Sequence, residues 1–148
     1  MSPRTADPEV AETLIETGAR LGGGTAPDVV DAYLGPSQTT LAVTATIDPA
    51  SLPTRNTPDP GQQPVLRWVD FINHHPGRAN PDALTKIAEL PSVVAVFPSF
   101  APGQYLAATS SLPTSPGFAY LAAPTGHELI EDYGTLRAWE HEGIYTSR

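Results

Sequence analysis

Cysteine is absent from the 148 residues, and Lys86 is the only lysine. The lack of cysteine excludes disulfides, thiolate nucleophiles and Cys-type zinc sites together. Positive charge is scarce: 8 Lys and Arg against 16 Asp and Glu leave a net charge of −8. The cations Arg4, Arg20, Arg55, Arg67, Arg78, Lys86, Arg137 and Arg148 are scattered rather than clustered. Nucleic acid and anionic membrane surfaces repel such a chain, so neither is an expected partner. No run of about 18 apolar residues exists, so no membrane span is expected. The opening Met1-Ser2-Pro3-Arg4-Thr5-Ala6-Asp7-Pro8 lacks the apolar run of a signal peptide, and the expected location is cytoplasmic.

What the chain does have suits a folded domain. Hydrophobic residues make up 40% despite 17 prolines and 12 glycines, which is too apolar for a disordered chain. One domain over 1–148 is expected, burying roughly 70% of the unfolded surface without a metal or staple. Residues 10–19 read as a strand running into Gly22-Gly23-Gly24. A helix follows, with Thr25 as N-cap, Asp28 at capping-box spacing, an apolar stripe of Val29, Val30, Tyr33 and Leu34, and Gly35 as its stop. Over 39–48, Leu41, Val43, Ala45 and Ile47 alternate with threonines and Ala42, which is strand periodicity. Residues 48–64 carry five prolines and form a loop.

Residues 65–72 alternate as a strand that turns at Asn73-His74-His75-Pro76-Gly77. A short helix from Asn80-Pro81-Asp82 buries Leu84 and Ile87, and 93–97 and 118–122 read as further strands. The last helix opens on a Thr125–Glu128 capping box and buries Leu129, Tyr133 and Leu136, while Glu131, Asp132, Glu140 and Glu142 form a solvated face. This irregular alternation predicts an α+β fold with a mainly antiparallel sheet and packed helices.

The chemistry-bearing stretch is Leu14-Ile15-Glu16-Thr17-Gly18-Ala19-Arg20-Leu21-Gly22-Gly23-Gly24. A carboxylate can hold Mg²⁺, a guanidinium forks onto phosphate oxygens, and backbone N–H groups exposed by glycines receive anions. The same residues also suit a plain turn with an ordinary Glu16–Arg20 ion pair. A second polar group, Asp70 with Asn73, His74 and His75, suits proton shuttling, or else two solvated loop histidines. His127 and His141 do not form a zinc pair with them. Trp68 and Tyr105 are candidate pocket walls or core residues, and Ser110, Ser111 and Ser115 fall in turns without a nucleophile pattern.

The run from Ile15 to Gly23 resembles the metal- and phosphate-binding strand of ATP-grasp ligases, the branch that joins a carboxylate to an amine. The resemblance continues through Asp28-Val29-Val30 and Tyr33-Leu34-Gly35. It resumes at Leu90-Pro91-Ser92, Pro102-Gly103, Thr114-Ser115-Pro116-Gly117, and from Asp132-Tyr133 through Arg137 and Glu140 to Gly143-Ile144-Tyr145. It implies a fold like the C-terminal lobe of that family and, at 39–48, often a helix, so strand and helix both stand there. It implies that Glu16 binds metal, that Arg20 contacts the transferred phosphate, and that Gly22, Gly23 and Gly24 line the anion site. Gly18 stands where many members carry an asparagine ligand.

The family's nucleotide-binding lysines precede this strand, and the companion carboxylate lies about a dozen residues upstream, where only Asp7, Glu9 and Glu12 occur. The first expectation is therefore an ATP-independent small-molecule enzyme of specialised, natural-product metabolism. It would perform acid–base chemistry such as cyclisation, isomerisation or dehydration from Glu16, with Arg20, Asp70, His74 and His75. It requires no cofactor, with Mg²⁺ at Glu16 as a residual ion. The alternatives are one subunit of a split ligase with an ATP-grasp N-terminal partner, or a non-catalytic module that forms a homodimer through an open sheet edge.

Overall fold

The computed structural model describes residues 25–53 and 63–147. The strand expected at 10–19, and with it Glu16, Arg20, Gly22, Gly23 and Gly24, lies outside the described residues. Those described form an α+β fold whose sheets are antiparallel. No helix among them is long and apolar enough to cross a membrane.

In the main sheet β1 (Val65–Asp70), β5 (Gly117–Ala123) and β3 (Val93–Pro98) run in the order β1-β5-β3. The uncharged sequence of β5 explains its central place, since it is largely buried along its whole length. A smaller sheet joins β4 (Tyr105–Leu106), β2 (Gly77–Ala79) and β6 (Thr146–Ser147) in the order β4-β2-β6.

One face of the main sheet carries the core. Val69, Phe71, Ala119 and Leu121 meet Ile87 of α3 (Asp82–Ala88), Leu129 and Leu136 of α4 (Gly126–Glu142), and Tyr145. Each fully buried large apolar side chain here contributes about 1.5–3 kcal/mol. The other face carries Trp68, Phe97, Phe118 and Tyr120, with Trp68 stacked on Phe118 at 3.9 Å. Against it lies α1 (Pro27–Leu34), fixed where the Ala26 N–H donates to the Tyr120 hydroxyl at 3.0 Å.

Several local expectations are corrected. At 39–48, where strand and helix both stood, the chain forms a helix, α2 (Gln38–Ile47), with Asp48 as its C-cap. The Ser37 hydroxyl caps it by accepting from the Thr40 N–H, and the Asp31 carboxylate accepts from both the Ser37 N–H and the Thr40 hydroxyl. This local network outweighs a period-2 pattern whose Val43 and Ile47 are exposed in any case. Ala26, not Thr25, is the N-cap of α1, and its side chain makes no cap. In α3 the buried residues are Ala83 and Ile87, with Leu84 half-buried at the rim. Tyr133 is exposed rather than buried on α4. The Thr125–Glu128 capping box and the Gly35 stop stand as read, the latter at φ 84°.

Two outcomes follow from this architecture. Gly117 has φ +139°, and a Cβ there would sit 2.2 Å from the Phe97 carbonyl oxygen and 2.9 Å from Pro98 Cα. Gly117→Ala is expected to cost about 4 kcal/mol or more in urea denaturation, the range reached by backbone strain and overpacking together. The Asp31 carboxyl is held below its ordinary value near 3.8 by the Thr40 hydroxyl and then by the Ser37 N–H. A depressed folded-state value stabilises above the unfolded value and loses that stabilisation as pH falls through the folded one. Helical circular dichroism of the wild type should therefore decline on acidification below pH 3.8 more than that of Asp31→Asn.

Candidate functional site

The candidate site is a groove of about 720 Å³ between β1 and α4. Arg67, Trp68, Val69, Asp70 and Ile72 form one wall, and Leu129, Ile130, Tyr133 and Arg137 the other. Among the described residues β1 is an edge strand of the sheet, and α4 overhangs that edge because Leu129 and Leu136 are drawn into the core. The outer stripe of α4 is thus left facing the strand, with Ile130 exposed and Tyr133 under the Arg137 guanidinium at 4.8 Å.

One end of the groove is sealed by an ion pair. Glu140 is fully buried, and its Oε1 accepts from the Ile72 N–H and from the Tyr145 hydroxyl, each at 2.8 Å. Its Oε2 accepts from Arg137, whose other terminal nitrogen donates to the Asp70 carbonyl at 2.9 Å. The carboxylate therefore receives the N–H of Ile72 as a strand carbonyl would, and the guanidinium meets the carbonyl of Asp70 as a strand N–H would. The pair stands in for a neighbouring strand at the carboxyl end of β1. Tyr145 reaches Glu140 because the chain reverses at Gly143, in the left-handed region, and returns so that the Ile144 and Tyr145 carbonyls accept from the side-chain amide and the N–H of Asn80. Burial, then the Glu140 carboxylate, hold the Tyr145 phenol far above its ordinary pKa, so it stays a donor.

The expectation of a solvated Glu140 is thus overturned. Its motif neighbours could have signalled this: Arg137 lies three residues before it, and Tyr145 follows a helix-stopping glycine. Asp132 is also engaged, accepting from the Ser92 N–H at 2.7 Å.

The structure separates the polar group read at the end of β1. Asp70 lines the groove, and its carboxylate has no hydrogen bond or ion pair among the described residues. Phe71 points into the core, and Asn73 is buried, donating to the Ala107 carbonyl at 2.9 Å. His74 stacks on His141 at 4.4 Å, and the His75 Nε2–H donates to the His141 carbonyl at 2.8 Å. Both histidines sit outside the groove and fasten the end of α4. Trp68 belongs to the groove wall, whereas Tyr105 is exposed on β4. Among the described residues no cluster of three or more His, Asp or Glu side chains is placed to hold a metal.

The chain is similar to dapdiamide A synthase of Enterobacter agglomerans, with 31% identity over 106 residues. The match covers 70% of this chain and spans only 25% of that protein's length. No family model matches the chain. No solved structure matches it.

Removing one partner of a buried pair strands the other. Arg137→Met should cost about 3–5 kcal/mol in urea denaturation, with a second change, Glu140→Met, restoring part of that loss.

Proposed function

We propose that this chain is part of an ATP-grasp-type carboxylate–amine ligase that builds an amide in small-molecule, specialised metabolism. The observation that carries the reading is the 31% identity over 106 residues to a protein named as a synthase. The Glu16–Arg20–glycine motif also supports it.

In this reading Arg20 forks onto the anionic oxygens of an activated carboxylate. The N–H groups of Gly22, Gly23 and Gly24 donate to the same anionic oxygens, and Glu16 would hold Mg²⁺, which neutralises phosphate charge when bound. These assignments rest on the motif alone. Among the described residues no group of three or more His, Asp or Glu side chains could hold the metal, so no step is routed through it. The nucleotide-holding part is supplied by polypeptide outside this sequence, in the same chain or in a partner.

A second reading, acid–base chemistry without ATP, is favoured by one observation: Asp70 lines the groove, and its carboxylate has no hydrogen bond or ion pair among the described residues. His74 and His75 do not contribute to that wall.

The test combines the protein with the ATP-binding half, ATP, Mg²⁺, and panels of amino acids as carboxylate and amine donors. ADP release and amide formation should be matched. Glu16→Gln and Arg20→Ala should each lower kcat by about 10²–10³, the loss typical of removing a group that stabilises developing charge. Turnover by the chain alone, without nucleotide and abolished by Asp70→Asn, would overturn the ligase reading in favour of the acid–base enzyme.

A further inference from the structure

On the opposite flank of α4 from the groove lies a second recess, of about 270 Å³, that neither reading uses. Ala122, Ala123 and Pro124 at the end of β5 give it an apolar wall, and Glu128, Glu131 and Asp132 line it from α4. These acids fall at i, i+3 and i+4, on one face of the helix, where like charges repel. Their one basic partner among the described residues is the exposed His127, 3.5 Å from Glu131. The described cations are engaged elsewhere: Arg78 donates to the Gly103 carbonyl, Lys86 lies over Trp139, and Arg137 pairs with Glu140, while Arg67 lines the β1 groove. Ser92, just ahead of β3, also lines the recess. Its N–H donates to Asp132 Oδ2 at 2.7 Å and its carbonyl accepts from the Ala122 N–H at 2.7 Å, so its backbone is satisfied on both sides. Ser92 is only 4% exposed, yet its hydroxyl has no hydrogen-bond partner among the described residues. A buried hydroxyl is costly unless something pairs with it.

We infer that this recess binds a small aliphatic diamine. The bond from the Ser92 N–H holds the Asp132 carboxylate beside the unpaired hydroxyl. An ammonium carries three donors and no acceptor, which suits a carboxylate next to a hydroxyl with a free lone pair. The first ammonium therefore donates to Asp132 and to the Ser92 hydroxyl. The methylene chain lies against Ala122, Ala123 and Pro124. The second ammonium meets Glu128, one turn earlier on α4, whose Oε2 serves the Thr125 cap and leaves Oε1 for the ligand. Residues one turn apart on a helix have Cβ atoms about 5–6 Å from each other, a span that three carbons bridge. A divalent metal suits the recess less well. Coordination at about 2–2.5 Å requires the carboxylates to converge, and no group of three among the described residues is placed to do so. Ammonium hydrogen bonds to separate acceptors need no such convergence. This inference does not rest on the ligase reading.

The test is calorimetric titration of the full chain with 1,3-diaminopropane, with propylamine, and with the fully methylated, bis-quaternary form of the diamine. Saturable binding of the diamine at a single site is expected, with propylamine weaker and the quaternary form weaker still, because it has the charge but no N–H donors. Glu128→Gln keeps the capping box and should weaken the diamine about tenfold, as losing one hydrogen bond to a charged group does, while leaving propylamine unchanged. Ser92→Ala should weaken both amines and, by removing an unpaired buried hydroxyl, raise the melting temperature of the free protein. Equal affinity for the quaternary form overturns the inference, as does no saturable binding at millimolar concentration. So does a Ser92→Ala protein that binds the diamine as the wild type does. The comparison of the diamine with its quaternary form uses unmodified protein and holds even where a variant fails to fold.

Discussion

A single carboxylate, that of Glu140, sets the relation between α4, β1 and the returning chain end. Its side chain is fully buried, and a charge there is tolerated only when donors surround it. The donors come from three places: the Ile72 N–H just past β1, Arg137 one turn back on α4, and the Tyr145 hydroxyl after the Gly143 reversal. Satisfying all three at once fixes how far α4 slides along the sheet and where the chain must turn back. Tyr145 then lies against Phe71 at 5.4 Å, and β6 can pair with β2. A hydrophobic core alone would permit small slips of α4; hydrogen-bonded charge, with its angular demands, does not.

That constraint also accounts for the groove. Because α4 is held by its carboxyl half through Arg137 and Glu140, its earlier turns overhang the edge of β1 without covering it. The ion pair occupies the edge at Asp70 and Ile72, and the groove begins where the pair leaves off. The reach of the candidate site along β1 is thus a by-product of the fold's central polar network. The site residues expected from sequence fall into two sets. Asp70 lies on the groove wall, and His74 and His75 serve to fasten α4, through His141.

Features that depend on near neighbours in the chain were legible from the sequence. The alternation at 65–70, the apolar run of β5, the Thr125–Glu128 box and the Gly35 stop are all local signals. The α+β class follows from them. Residues 39–48 were not legible, because threonine, alanine and valine alternate with equal ease on a helix and a strand. The choice lay in Asp31, whose carboxylate reaches nine residues forward to the Thr40 hydroxyl. Glu140 was illegible for a different reason: among Glu131, Asp132 and Glu142 it is one acid of several. Its nearby partners Arg137 and Tyr145 set it apart from them, and its third donor, the Ile72 N–H, lies 68 residues away in sequence. Asp70, His74 and His75 are close along the chain, but strand pleating and the turn after it send them apart.

The two edges of the main sheet differ in what they invite. The ladder between β3 and β5 shifts register between Val93 and Ala95, and β3 ends in a proline that cannot donate to a neighbour. α3 also packs along it. A strand with a register shift and a missing donor is a poor template for fibrous aggregation, whereas the six residues of β1 pair with β5 without a shift and carry no proline. Under crowded or partly denaturing conditions, the hazard of edge-to-edge polymerisation is therefore one-sided. A fibre would need two open edges on each unit to propagate, and among the described residues this sheet offers one.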